Sequence, residues 1–395
     1  MTPQARVQAA IDILDEVITA ARGGGAAADT IIARYFKARR YAGSKDRRAV
    51  RDHVYAAIRR AGEIPADGRA AMIGVARDRP EIAALFDGSA HGPQPIEPGE
   101  LSASSGLVPQ WLEARLCESV GLDGVAALLD RAPLDLRVNT LRTSRDALLD
   151  RLPEALPTPH ARNGLRLPEG TNVEALDIWT EGLIEIQDEG SQLLALAVGA
   201  GAGQTVVDLC AGAGGKTLAL AAEMGGQGRL IACDADRGRL SRLAPRAARA
   251  GAATMIEMRL LDGGRELEAL GDLVGTADAV LIDAPCSGTG TWRRNPEARW
   301  RLTPERLAKT VALQARLIEV GAALVAPGGT LTYAVCSVLD EEGAAQVAAF
   351  LDRMDGWSVD RPSLPAGRSR GAGMMLDPAH DETDGFFVAR LRRRC

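Results

Sequence analysis

Residues 283–286 read Asp-Ala-Pro-Cys and follow an apolar run, 278–282, with the character of a buried strand. A carboxylate, a stiff proline and a thiol at the carboxyl end of a strand stand where open α/β sheets hold their ligands. A glycine-bearing turn, 287–290, comes next. The pattern then recurs: a second apolar strand, 329–335, ends at Cys336 and Ser337. Free cysteines usually serve as small buried hydrophobes. Cys286 and Cys336 differ in following strands instead of lying inside them, which lets two thiols face one substrate.

A second constellation lies upstream, where strand 205–209 runs into Cys210-Ala211-Gly212-Ala213-Gly214-Gly215-Lys216. Lys216 and Thr217 follow too few loop residues to cradle a triphosphate, and the spacing is not the dinucleotide GxGxxG. A tight glycine turn with Asp208 before it suits a small, non-phosphorylated cofactor held by backbone amides and a carboxylate. Asp234, ending the next strand, is placed for two ribose hydroxyls, with Arg239 beside it, and Asp262 for an adenine amine. Three acids in this order fit S-adenosylmethionine.

The elements around these residues alternate. Strands at 205–209, 229–233, 254–259, 278–282, 329–335 and 385–391 are interleaved with helices at 217–224, 240–250, 304–324 and 341–351. This rhythm predicts a mostly parallel, three-layer α/β domain over 182–395. Before it, 107–181 reads as a small α+β domain, with strands at 134–140, 165–167 and 173–176. In the first of these Leu136 and Val138 share one face and Arg137 and Asn139, candidates for contacting RNA, the other. Residues 86–106 form a Pro/Gly-rich linker, and 1–85 a helical domain with Val7, Ile11, Leu14 and Ile18 in one apolar stripe.

The chain of 395 residues carries a net charge of -5, yet residues 34–60 hold ten basic side chains against two acidic ones. That local reversal of sign, which includes Arg47, Arg48 and Arg51, reads as a phosphate-contacting surface. Arg293, Arg294, Arg299 and Arg301, just past the Cys286 turn, are placed to hold a flanking backbone. Six widely spaced cysteines without a CxxC pair fit reduced thiols in the cytoplasm, with no metal site. No transmembrane run or signal-peptide core is visible. The five tryptophans read as packing anchors, with Trp292 set apart by its place in the loop.

Motif for motif, the chain resembles the Nop/Sun family of S-adenosylmethionine-dependent RNA cytosine-5 methyltransferases, most nearly its bacterial 16S rRNA branch. The resemblance rests on DLCAGAGGKT at 208–217, DAPCSGTG at 283–290, RRNPEARW at 293–300 and YAVCS at 333–337. It is supported by LRVNTLR at 136–142, IQDEGSQ at 186–192 and DGFFVARL at 384–391. It implies a Rossmann-like domain with a seven-stranded sheet, a small RNA-recognition-like domain before it, and an antitermination-factor-like helical domain at the start. By the same resemblance Cys336 is the nucleophile toward carbon 6 of cytosine and Cys286 assists release of the product. Asp283 then hydrogen-bonds the base, with Lys216 orienting Asp283 or the cofactor carboxylate. The expected partner is 16S rRNA or a partly assembled small subunit, and a monomer is the default. A tRNA substrate, or a non-catalytic role in ribosome assembly, are the alternatives.

Overall fold

The computed structural model describes residues 1–395. They fall into two compact units, Met1–Asp130 with Thr291–Pro304, and Arg131–Gly290 with Glu305–Cys395.

The first unit is helical. Pro3–Gly23 begins where the Ala5 amide donates to the Thr2 hydroxyl, with a proline in its first turn. It ends at Gly24, whose φ of 79° is the left-handed conformation that closes a helix. The predicted stripe Val7, Ile11, Leu14 and Ile18 is buried, in a core shared with Ala28–Lys37, Ser44–Arg60 and Gly68–Asp78. Tyr35, Phe36 and Tyr55, interleaved with the basic run in sequence, belong to this core. Gln110–Ala127, which the sequence assigns to the following small domain, lies in this unit and is broken at Gly121 (φ 73°).

Residues 291–304 leave the second unit after Gly290 and rejoin it at Glu305. Their 3-10 stretch, Pro296–Arg301, supplies groups that helix ends lack. Arg299 is fully buried and donates to the carbonyls of Ile58 (2.5 Å), Arg59 (3.2 Å) and Ala61 (2.8 Å), at the end of Ser44–Arg60. The Trp300 indole donates to Ala61 as well, at 2.9 Å. Glu297 accepts from the Ala28 amide at the start of Ala28–Lys37. Arg301 donates to the carbonyls of Gly25 and Ala26.

The second unit holds two sheets. The small one is built from β1 (Leu134–Val138), β2 (Leu156–Pro157), β3 (Gly164–Leu167) and β4 (Ile184–Ile186), antiparallel in the order β2-β3-β1-β4. Residues 173–176, expected as a strand, instead form a 3-10 turn, Val173–Ala175, leading into a short helix, Asp177–Thr180. Val173 and Ile178 are buried here while Ala175 is exposed, so the alternation a strand needs is missing.

The large sheet comprises β5 (Thr205–Asp208), β6 (Arg229–Asp234), β7 (Ile256–Leu260), β8 (Ala277–Asp283), β9 (Val325–Val335), β10 (Trp357–Val359), β11 (Arg368–Arg370), β12 (Gly373–Leu376) and β13 (Phe386–Arg393). Its order is β11-β12-β13-β9-β8-β5-β6-β7, with β10 on β13. Strands β7, β6, β5, β8 and β9 are mutually parallel, and the others pair antiparallel. The six strands located from the pattern are present, β12 brings the number to the seven that the resemblance implies, and β10 and β11 extend the sheet. Helices cover both faces. Leu281 belongs to a core with Leu218, Leu220 and Leu243, whereas Ile282 meets Gly321 of Pro304–Leu324 on the opposite side. The strand order reverses between β5 and β8, and an open sheet forms its ligand crevice at such a reversal. No helix is long and apolar enough to cross a membrane.

Candidate active site

Asp283 ends β8, and its register partner on β9 is Ala334. Parallel pairing therefore delivers residues 284–286 and Cys336 side by side at the carboxyl edge of the sheet. The Ala284 amide extends the ladder by donating to Ala334 at 2.9 Å. The result is a Cys286–Cys336 Sγ···Sγ distance of 3.2 Å. The hydrogen bond to Cys336, then burial and the nearby negative charges of Cys336 and Glu342, push the Cys286 thiol well above its ordinary pKa.

The loops behind the thiols are tightly held. Gly290 donates to the Cys336 carbonyl at 3.1 Å and accepts from Gly385 at 2.7 Å. A Cβ on Gly290 would lie 1.9 Å from the Gly385 oxygen, so only glycine fits this crossing. Thr289 and Ser337 share a hydroxyl contact of 3.0 Å, and Ser337 lies 3.3 Å from the Ser287 hydroxyl. Glu342, fully buried, accepts from the Ser287 amide (2.8 Å), the Ser287 hydroxyl and the Gln314 side chain (3.0 Å). The sequence reading passed over Glu342 and Gln314. Their only visible signals are a carboxylate shortly after the second thiol and a glutamine on the buried face of a long helix.

Lys216 enters from the start of Gly215–Glu223 and pairs with Asp283 at 2.7 Å. Burial opposes the Lys216 charge, but Asp283 beside it, with help from Cys336 and Asp208, holds its pKa above the ordinary value. The loop preceding this helix turns through Gly212 (φ 55°) and Gly214 (φ 87°), and a Cβ on Gly214 would lie 2.2 Å from Leu243 Cδ1. The Gly212 amide donates to Asp234 at 2.7 Å, and the Asp236 amide donates to the other Asp234 oxygen at 2.7 Å. Each Asp234 oxygen keeps a lone pair for a further donor. Asp208 is wholly buried. One of its oxygens accepts from the Thr217 hydroxyl at 2.6 Å and the other has no partner. Burial raises its pKa to about 7.

A cavity of about 530 Å³ opens between these groups. It is lined by Cys210, Asp234, Arg239, Asp283, Cys286 and Cys336, with Leu209, Leu261, Leu313 and Leu317 as apolar walls. The size is that of a cofactor pocket. Asp234, on the cavity wall with spare acceptor capacity on both oxygens, fits the ribose hydroxyls of S-adenosylmethionine, while Asp208 lies behind the lining residues Leu209 and Cys210. Burial also pushes the Cys210 thiol up, so it lines the cavity as a neutral group. Ala211 and Ala213 contribute backbone to the turn: the Ala211 amide donates to Cys233, and the Ala213 carbonyl accepts from Arg246. Gly215 opens the helix.

Several expected site residues are placed elsewhere. Asp262 is 76% exposed and faces Arg265 at 3.8 Å, while its neighbours Leu261 and Gly263 line the cavity. Arg137 and Asn139, expected as RNA-binding candidates, are both buried. Arg137 donates to Gln187 at 2.7 Å. Asn139 donates to the carbonyls of Gly182 and Ala250, at 2.8 Å each, and so ties the small sheet to the large one. The strand alternation was read correctly. Its second face, however, is covered by the large-sheet layer instead of by water. Arg299 caps a helix end, Arg301 bonds the loop carbonyls of Gly25 and Ala26, and Trp292 is fully buried. Arg293 is buried and Arg294 half-buried. Arg47, Arg48 and Arg51 are exposed on Ser44–Arg60, with Arg51 paired to Asp29 at 2.9 Å.

Known proteins are similar to this chain in sequence and fold. The family described as 16S rRNA methyltransferase RsmB/F matches residues 195–392, and the RsmF/B-like ferredoxin-like domain matches 108–174. A probable ribosomal RNA small subunit methyltransferase B from Synechocystis sp. is 34% identical over 72% of this chain and 66% of its own length. The ribosomal RNA small subunit methyltransferase B of Salmonella typhi is 32% identical over 73% of this chain and 67% of its own. The chain thus spans about two thirds of the length of these relatives. A methyltransferase homologue from Pyrococcus horikoshii superposes with a TM-score of 0.62 at 28% identity, covering 72% of this chain and 95% of that one.

Proposed function

We propose, starting from a chain that belongs to the RsmB/F family of 16S rRNA methyltransferases, that it methylates carbon 5 of a cytosine in 16S rRNA through a covalent adduct on Cys336. The observation that carries this reading is the pair of thiols 3.2 Å apart, opening onto a cavity that fits S-adenosylmethionine.

Carbon 5 of cytosine is a poor nucleophile. A thiolate that adds to carbon 6 forms an S–C6 bond and moves the C5=C6 electron pair onto carbon 5 and the ring. Cys336 takes this role. At rest the two sulfurs lie 3.2 Å apart, and Cys286, its thiol raised in pKa, stays neutral beside the attacking sulfur. Asp283, fixed by Lys216, hydrogen-bonds the polar edge of the base as charge builds on the ring. When bound, S-adenosylmethionine supplies the electrophilic methyl group. In the release half Cys286 first loses its own proton to solvent, the one proton the overall reaction sets free, and as thiolate then takes the proton from carbon 5. The C5–H electron pair re-forms C5=C6, and the C6–S bond breaks to return Cys336 as thiolate. Cys286 becomes able to accept that proton because Cys336, once bonded to carbon, neither accepts its hydrogen bond nor repels its charge. The base reaches this site unstacked, which single-stranded or locally open RNA permits at little cost. The exposed arginines 47, 48 and 51 support a role for the helical unit in holding RNA phosphates.

The test is incubation of the chain with methyl-labelled S-adenosylmethionine and either 16S rRNA transcript, small ribosomal subunits or tRNA, followed by nucleoside mass spectrometry. Label in 5-methylcytosine from 16S rRNA or subunits is the expected result. Label in tRNA alone, or in no RNA although the cofactor binds, would contradict the assignment.

A further inference from the structure

The buried polar cluster beneath the Cys286 loop grips that loop on both sides of the thiol. Gln314 donates from one amide nitrogen both to the Pro285 carbonyl (2.9 Å) and to Glu342 (3.0 Å). Glu342 in turn accepts from the Ser287 amide and hydroxyl. Pro285 and Ser287, the two neighbours of Cys286, are thus fixed through one carboxylate and one carboxamide, each with no exposed surface. The cluster is braced from behind. The Tyr333 hydroxyl donates to the Glu342 carbonyl at 2.6 Å, and Gln346 donates to the Val311 carbonyl at 2.8 Å while facing Gln314. A buried carboxylate held only by neutral donors is an expensive feature for a fold to keep. Packing alone would be served as well by an apolar side chain.

We infer that Glu342 is a positioning residue for the release half of the reaction, aiming Cys286 at the adduct formed on Cys336. The inference rests on the covalent reading above. Its asymmetry follows from the side-chain contacts: the Glu342 carboxylate bonds the Cys286 loop directly, whereas it reaches the Cys336 side through the Ser287 and Thr289 hydroxyls on Ser337. Adduct formation therefore depends on Glu342 less than adduct resolution does. The charged and titratable groups around Cys286 are Cys336 and Tyr333 from β9, Glu342 after it, Asp283 from β8, and Lys216 from Gly215–Glu223.

The experiment compares wild type, Glu342→Gln, Ser287→Ala and Cys286→Ala in single turnovers on 16S rRNA transcript with S-adenosylmethionine. Denaturing, non-reducing gels follow the rise and decay of the protein–RNA adduct, with cofactor affinity and melting temperature measured in parallel. Glu342→Gln keeps the volume and one acceptor but loses the charge, so the fold is retained. Expected is adduct formation within about two-fold of wild type and decay slowed about ten-fold or more, the loss of one charge-assisted hydrogen bond expressed as a rate. Ser287→Ala, which removes only the hydroxyl, slows decay by a smaller factor. Decay at the wild-type rate in Glu342→Gln, or formation and decay slowed by the same factor, would overturn the inference. Should Cys286→Ala also yield no adduct, the covalent reading fails and this inference falls with it.

Discussion

Replacing Asp208 by Asn removes a charge from a wholly buried position behind the cavity-lining Leu209 and Cys210 while keeping the shape of the side chain. Asp208 is wholly buried, bonded to Thr217 through one oxygen, with the other unpartnered. Burial raises its pKa from 3.8 to about 7. Because the folded value lies above the unfolded one, the folded chain holds the proton more tightly. The resulting penalty is absent below about pH 4, grows between about pH 4 and pH 7, and is complete above that. At about 1.4 kcal/mol for each tenfold change in proton affinity, the rise amounts to about 4 kcal/mol. That rise is already net of the Thr217 hydroxyl, whose hydrogen bond to the charged form opposes it. The cofactor-free Asp208→Asn chain is therefore about 4 kcal/mol more stable than wild type at pH 8, and within about 1 kcal/mol of it near pH 4.5. Urea denaturation followed by circular dichroism at the two pH values measures this directly. Calorimetric titration with S-adenosylmethionine at pH 8 should show weaker binding by the variant, since a site commonly trades stability for function. An Asp208→Asn chain destabilised equally at both pH values would refute the reasoning.

The fold supplies two further tests. Gly214→Ala places a Cβ at φ 87° against Leu243 and is expected to destabilise the second unit by about 1–3 kcal/mol, whereas Gly215→Ala, with open space around it, is expected to leave the melting temperature unchanged. Equal melting temperatures for the two variants would show that the turn is not strained as described. Arg299→Ala strips the Ile58 and Arg59 carbonyls of their buried donor, while Ala61 keeps that of Trp300, so a loss of about 2–5 kcal/mol is expected in the helical unit. Thermal unfolding at the wild-type temperature would mean that water replaces the guanidinium without penalty.

Much of the site was legible because strands that end at reactive residues announce themselves. The apolar runs before Asp283 and Cys336 are long, and their ends are marked by a change of residue type. Parallel pairing of β8 with β9 then makes the thiol contact a consequence of register. What escaped was long-range cover. The alternation in β1 showed that Arg137 and Asn139 share a face but not that another layer lies over it. In the same way Arg299 read as a basic residue beside the substrate loop, although its guanidinium ends a helix that precedes it by more than two hundred residues. Strands β10 and β11 have three residues each, too few for a pattern to emerge. Residues 173–176 misled because a short apolar run fits a strand or a turn equally well until burial decides.

The central claim concerns which thiol attacks, and one trapping experiment decides it. Cys286→Ala and Cys336→Ala are each incubated with S-adenosylmethionine and the 16S rRNA substrate, and protein–RNA adducts are resolved under denaturing, non-reducing conditions. The account predicts a stable adduct with Cys286→Ala and none with Cys336→Ala. An adduct that persists in Cys336→Ala and vanishes in Cys286→Ala would contradict it and reverse the two roles.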